Sequence, residues 1–305
     1  MPTLKEIKGR IGSVKNTLKI TSAMKLVSSA KLRKAQTAIE AMRPYEAQLQ
    51  RMLALVSAGW APSPSAEKRA DAPGDGSASR PTALVAIASN SSLCGGFNAN
   101  VIGKLRSVRQ RGDVVYSIGR KMADAMRKEG FPSPEDLNAL AEHPAYAPAA
   151  ELVERLAQDV AEGRFGQVLL VYTHYVSTAR QVPVVETLMA AGSAAFSGAN
   201  KKADAPGQAS LPACHSERSE ESTDAILEPS AKELRAALAP KVLKLKLYAA
   251  LLDSAAAEPA ARTVAMQTAT DNGEQLLDEL TLQYNKGRQQ KITNEILDLA
   301  GGQQD

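Results

Sequence analysis

Residues 4–56 read LKEIKGRIGSVKNTLKITSAMKLVSSAKLRKAQTAIEAMRPYEAQLQRMLALV. Stepping alternately by three and four from Leu4 visits Leu4, Ile7, Ile11, Val14, Leu18, Thr21, Lys25, Ser28, Leu32, Ala35, Ile39, Met42, Glu46, Leu49, Leu53 and Val56. Twelve of these sixteen positions are apolar. A helix with that period keeps the seam facing one partner along its whole length, as in a coiled coil. Thr21, Lys25 and Ser28 fall together, with Met24 and Val27 just off the line, so the seam is expected to loosen or shift over 21–28. Pro44 is expected to bend the helix locally. At about 1.5 Å per residue such a helix spans roughly 80 Å. A compact domain cannot contain it.

The other end of the chain answers it. Leu238, Val242, Leu245, Ala249, Leu252 and Ala256 keep the same alternation. Met266, Ala269, Gly273, Leu276 and Leu280 continue it in a shifted register, and Tyr284, Ile292, Ile296 and Leu299 add apolar points towards the tip. Pro240 is expected to start a helix, Pro259 to kink one, and Gly301-Gly302 to stop one. Two seams satisfy each other if their helices run antiparallel. On pattern alone, separate helical bundles or a coiled-coil homodimer remain alternatives.

Between the ends the period changes. TALVAIAS (82–89), DVVYSIG (113–119), QVLLVYTHYV (167–176) and VPVVETLM (182–189) read as strands, the last an edge or hairpin strand. NANVIGKLRSVRQRG, RKMADAMRKEG and AELVERLAQDVAEG read as helices between them. Alternating strands and helices predict a Rossmann-like α/β layer. The expected plan is an N-terminal coiled-coil helix (1–58), a flexible Pro/Ala/Gly/Ser linker (59–81) and a central α/β domain (82–196). A low-complexity, disordered insert (197–230) and a C-terminal coiled-coil helix (231–305) complete it.

Composition narrows the function. The 305 residues are 23% charged, 44% hydrophobic and 4% aromatic, the balance of a soluble protein built on long Ala- and Leu-rich helices. No run of about 18 apolar residues is present. MPTLKEIKGRIG has no apolar core of a signal peptide. Cys94 and Cys214 cannot form a disulfide framework. The net charge of +4 is unevenly placed: residues 1–60 hold eleven Lys/Arg against three Glu. A basic segment of that kind needs an acidic partner surface, a membrane or a nucleic acid.

The chain carries few residues in recognisable chemical patterns. Gly95-Gly96 follows the first strand, but no G-x-G-x-x-G accompanies it, and Gly103-Lys104 lacks the rest of a P-loop. His143, His174 and His215 have no metal-ligand spacing. His174, in a strand, reads as a packing residue, and Cys94 as a small buried one. Asp278, Glu279, Glu295 and Asp298 read as a solvated helix face. No catalytic, cofactor or metal site is expected.

Three stretches then carry a resemblance: IKGRIGSVKNTLKITSAMKLVSSAKLRKA (7–35), SSLCGGFNAN (91–100) and ARTVAMQTATDNGEQLLDELTLQYNKGRQQKITNEILDLAGG (261–302). In that order they resemble the gamma-subunit family of F-type ATP synthases over nearly the whole chain. The resemblance implies a non-catalytic rotor shaft without cofactors. Its antiparallel coiled coil enters a hexamer of alternating alpha and beta subunits, and its α/β domain meets epsilon and the c-ring. It implies peripheral placement on the cytoplasmic face of a bacterial inner membrane, held there through the Fo sector. By the same resemblance Met24 and Lys25 lie near an acidic loop of beta, and Arg288, Gln289 and Thr293 meet a catch loop of beta. Photosynthetic relatives carry a two-cysteine redox switch near 197–230. Only Cys214 is present here, so that switch is expected to be absent. The other readings are a nucleic-acid-binding coiled-coil protein, weakened by the lack of aromatics among the basic residues, and a Rossmann-fold enzyme with helical extensions.

Overall fold

The computed structural model describes residues 3–58, 80–190 and 230–301. The expected linker lies outside the described residues apart from Arg80 and Pro81, and the expected insert apart from Ser230. The elements run α1 (Leu4–Ala58), β1 (Thr82–Ile87), α2 (Phe97–Val108), β2 (Val114–Ile118), α3 (Arg120–Lys128), α4 (Asn138–Glu142), α5 (Tyr146–Ala161), β3 (Gln167–Tyr175), β4 (Gln181–Ala190) and α6 (Ala231–Gly301).

Both long helices start on a side-chain cap. Thr3 Oγ1 accepts the Glu6 amide at 3.3 Å, and Glu6 Oε2 accepts the Thr3 amide at 2.9 Å. This reciprocal box satisfies donors that the first turn leaves free. Ser230 Oγ likewise accepts the Glu233 amide at 3.2 Å. That cap places the start of α6 nine residues before Pro240, which is internal to the helix and does not begin it. Helix α1 also runs unbroken through Pro44, on its exposed face.

Helices α1 and α6 pack closely along each other in opposite directions. Leu49, Leu53 and Val56 meet Leu238, Val242 and Leu245. Leu32 and Ile39 meet Leu252, Ala256 and Ala260. Further along, Leu18 faces Gly273 and Leu4 faces Gly287. Every one of the sixteen seam positions in α1 is buried or half-buried, including Thr21, Lys25, Ser28 and Glu46. The expected shift over 21–28 does not occur. The seam keeps its register and changes chemistry, because polar partners wait across it. Nor does α6 change register. Its alternation passes through Pro259, Thr263, Met266, Thr270, Gly273, Leu277, Leu280, Tyr284 and Gly287, all buried or half-buried, while Ala269 and Leu276 are exposed. Proline, threonines and glycines on the seam disguise its period.

The central region is a four-stranded mixed sheet of order β2-β1-β3-β4. β1 pairs in parallel with β2 and β3, and β4 pairs antiparallel with β3 at the edge. Pro183 fits that edge, where its missing amide hydrogen costs no central ladder bond. α2 and α3 cover one face, through Val101, Leu105, Met122 and Met126 on Leu84, Ala86 and Val171. The other face is covered by α5 and by α6 itself, whose Leu247, Ala250 and Leu251 share a core with Val85, Ile118 and Leu170. The long helix is thus a structural layer of the central region.

Close approach of the two helices depends on Gly273, where an added Cβ would lie 2.7 Å from Leu18 Cδ2. The obstructing atom is the end of a flexible side chain. Gly273→Ala should therefore stay within about 1 kcal/mol of wild type, the gain in helix propensity offsetting the displaced leucine. Gly273→Phe should cost about 1–3 kcal/mol through overpacking. Thermal unfolding of the full chain, followed by helical circular dichroism, compares the two. Equal losses would contradict the close contact.

Candidate functional site

Two surfaces of the paired helices are candidates: the polar layer around Thr21–Ser28 and the end of α6 beyond α1. In the layer, Thr270 Oγ1 lies 2.8 Å from the Met266 carbonyl. Thr21 Oγ1 lies 2.9 Å from Thr270 Oγ1 and 3.1 Å from its own Leu18 carbonyl. Each hydroxyl has a carbonyl of its own helix and the other hydroxyl within reach, so either can donate across the seam. One turn on, Lys25 Nζ donates to Gln267 Oε1, and Gln267 Nε2 donates to Asp271 Oδ1 at 2.6 Å. Such polar layers hold a register that apolar layers alone would let slip.

Outside the layer α1 is basic. Its other ten Lys and Arg side chains are exposed, and none pairs with a carboxylate among the described residues. An apolar stripe runs between them: Ile20 is 60% and Val27 59% exposed, with the half-buried Met24 between. Exposed apolar side chains in series mark a surface that meets something.

α6 outlasts its partner. Gly287 is opposite Leu4, so Arg288 to Gly301 have no facing helix among the described residues, an overhang of about 20 Å. Arg288, Gln289 and Thr293 are exposed there, and the Thr293 hydroxyl donates to the Gln289 carbonyl at 3.0 Å. Ile292 and Ile296 are exposed beside them. The five residues singled out in the sequence therefore form two groups. Lys25 lies at the level of Gln267, about 33 Å of helix from Gln289. Nothing brings them into one site.

The loop after β1 has a different role. Gly95 adopts φ +57°, the left-handed region that favours glycine, and approaches Ala261 and Ala265 of α6. Cys94 and Phe97 are buried against Ala257 and Ala261, with Tyr175 alongside. Asn98 Nδ2 donates to Cys94 Sγ at 3.1 Å. In open α/β sheets the crevice beyond the carboxyl ends of strands such as β1 and β3 is where ligands sit. Here α6 fills most of it, leaving a cavity of about 200 Å³ bordered by Gly95, Asn100, Thr173 and Gln181. The largely buried Arg262, paired with Glu258 at 2.6 Å, ties the helix to the loop through the Ser92 carbonyl.

His174 is not a packing residue, as its strand position suggested. Its half-exposed imidazole lies 2.5 Å from Asp253 Oδ2 of α6. The hydrogen bond to that carboxylate raises its pKa above the usual histidine value, against the opposing effect of burial. Asp253, Gln267 and Arg262 escaped the sequence reading, although Glu258/Arg262 and Gln267/Asp271 stand four apart and signal helical pairs. No cluster of three or more potential metal ligands occurs among the described residues, and none of their helices is long and apolar enough to cross a membrane.

Comparison with known proteins bears on the whole chain. The sequence model of the family described as ATP synthase matches residues 3–304. The ATP synthase gamma chain of Phocaeicola vulgatus is 44% identical over 311 residues, covering 99% of each chain. That of Bacteroides thetaiotaomicron is 42% identical over 309 residues, again 99% of each. Among solved structures, a chain of the Euglena gracilis mitochondrial ATP synthase superposes with a TM-score of 0.60 at 18% identity, covering 98% of this chain and 93% of its own. A central-stalk/c-ring chain from Tetrahymena thermophila gives 0.52 at 21% identity, covering 82% and 99%. These two show likeness of fold.

The polar layer yields a test. Thr21→Val or Thr270→Val should each cost about 1 kcal/mol. The double variant should cost less than the two together, by about 0.5 kcal/mol or more. Denaturant unfolding of the four proteins measures this, and strict additivity would mean that the hydroxyls do not interact.

Proposed function

The chain belongs to the ATP synthase gamma-chain family, and on that premise we propose how its two surfaces perform the work of a rotor. It is the non-catalytic central shaft that couples c-ring rotation to catalysis. The feature that carries this reading is the seam, unbroken through both helices, with α6 projecting past the end of α1. A shaft needs no reactive group. It needs a stiff body whose surface differs around its axis, so that each catalytic site meets different contacts as the shaft turns. A change of contacts shifts a neighbour's conformational equilibrium only by its differential affinity for the two states.

The finer assignments rest on the family likeness together with the geometry. The three/four alternation is that of an antiparallel coiled coil, and the sheet with helices on both faces is Rossmann-like. The stripe of Ile20, Met24 and Val27, flanked by the basic face of α1, suits an acidic loop of beta. Lys25 supports that stripe from within, since its ammonium is engaged by Gln267. Arg288, Gln289 and Thr293, on the overhang, suit a catch loop of beta. The hexamer of alpha and beta receives the paired helices. The central α/β region meets epsilon and the c-ring, and membrane attachment is indirect, on the cytoplasmic face.

Purification of the tagged chain from its native membrane at low salt tests the assembly. Alpha, beta and epsilon should accompany it, with ATPase activity that the chain alone lacks. A chain arriving alone or with nucleic acid would refute the reading. The overhang has its own test, because Gln289 and Thr293 are exposed and their variants should fold normally, within about 0.5 kcal/mol of wild type. Gln289→Ala with Thr293→Ala should reduce ATP-driven proton pumping in the assembled complex several-fold. Unchanged pumping would remove the overhang from the coupling surface.

A further inference from the structure

The end of β3 touches both long helices at once. Gln36 Nε2 of α1 donates to Tyr175 Oη at 2.8 Å, and one residue earlier His174 Nδ1 lies 2.5 Å from Asp253 Oδ2 of α6. We propose that this strand end is a proton-operated clamp: protonated His174 fastens the central region to α6, and loss of the proton slackens that fastening while the apolar packing persists. The consequence for rotation rests on the rotor reading above. The clamp itself does not.

The surroundings make the proton matter. Where α1, β3, β4 and α6 meet, three cations (His174, Lys246 and Arg43) and three carboxylates (Asp253, Glu186 and Glu46) lie close enough for their charges to act on Glu46 and His174. Lys246 lies 3.3 Å from Glu186 and donates to the Thr187 carbonyl at 2.8 Å. Tyr172 donates to Glu186 at 3.0 Å. Burial and this carboxylate hold the phenol protonated, so it adds no charge at neutral pH. Burial, with Asp253 and Glu186 nearby, raises the pKa of Glu46. With His174 charged the group is balanced; with His174 neutral, three carboxylates face two cations.

The sign follows from the raised histidine. A group whose folded pKa exceeds its unfolded value stabilises fully below the unfolded value, about 6.5 for histidine, and stops doing so as pH rises through the folded one. The hydrogen bond to Asp253, then the charges of Asp253 and Glu186, set the direction, against burial and Arg43. The clamp is therefore closed below the unfolded histidine value and opens as pH rises through the raised folded one. The neighbouring contacts do not share that dependence. Leu247, Ala250 and Leu251 hold α6 to the sheet by apolar burial alone, and the Gln36–Tyr175 bond joins an amide to a phenol.

Two measurements on the full chain test this, neither needing a partner subunit, so either can fail while the rotor reading stands. First, the imidazole carbon signals of His174 are followed by NMR titration in wild type and in Asp253→Asn. The wild-type midpoint should lie at the higher pH, and coincident curves would overturn the proposal. Second, amide hydrogen exchange is compared at pH 6.0 and 8.5 after correction for intrinsic rates. In wild type, protection of residues 170–176 should fall about threefold relative to α2, the scale of a half-exposed ion pair. His174→Lys, charged at both pH values, should hold its protection, and His174→Gln should be weak at both. A flat wild-type profile, or a His174→Lys profile that falls like wild type, would show that no proton works this contact.

Discussion

One contact line governs the molecule: the seam along which α1 and α6 exclude water from each other. Neither helix can stand alone in water at such length, because most helical stability in proteins comes from a packed apolar face. The seam also sets the distance between the helices, through Gly273 and Gly287, and their register, through Thr21–Thr270 and Lys25–Gln267. A shaft that slipped by one turn would lose its relation to whatever surrounds it. Polar pairs in an apolar seam are the physical means of preventing that slip.

The central region is subordinate to this line. Its sheet uses α6 as a covering layer, and the crevice at its strand ends is narrowed to a small cavity by Ala257 and Ala261 of the same helix. An enzyme built on such a sheet would keep that crevice open for substrate. Here apolar burial, the Arg262–Glu258 pair and the His174–Asp253 contact all converge on α6 between residues 247 and 265. Torque applied to the central region has a short, stiff path into the long helix.

Much of this was legible in the residues. The 3/4 alternation of α1 is read directly, because its occupants are mostly aliphatic, and the sheet strands stand out as runs of Val, Leu and Ile. In α6 the same alternation is hidden after Ala256. Pro259, Thr263, Thr270 and Gly273 sit on the seam, and the more apolar-looking Ala269 and Leu276 face outward. Periodicity arguments weigh side chains by hydrophobicity, whereas the seam selects them by size and by what lies opposite. His174 misled for a related reason: its partner is 79 residues away, on an element whose packing no local pattern reveals. Of the residues assigned to contacts by family likeness, Arg288, Gln289 and Thr293 are exposed while Met24 and Lys25 are half-buried. The separation of the two groups by about 33 Å along the rod follows only once the antiparallel pairing is known.

The most direct test of the shaft is to watch it turn. Lys104, exposed on α2 of the central region, can be replaced by cysteine and labelled with a bead, while the alpha and beta subunits of the purified complex are held on a surface. With ATP supplied, the bead should rotate continuously in one direction in discrete steps. A bead that stays still while the same complexes hydrolyse ATP would contradict the account.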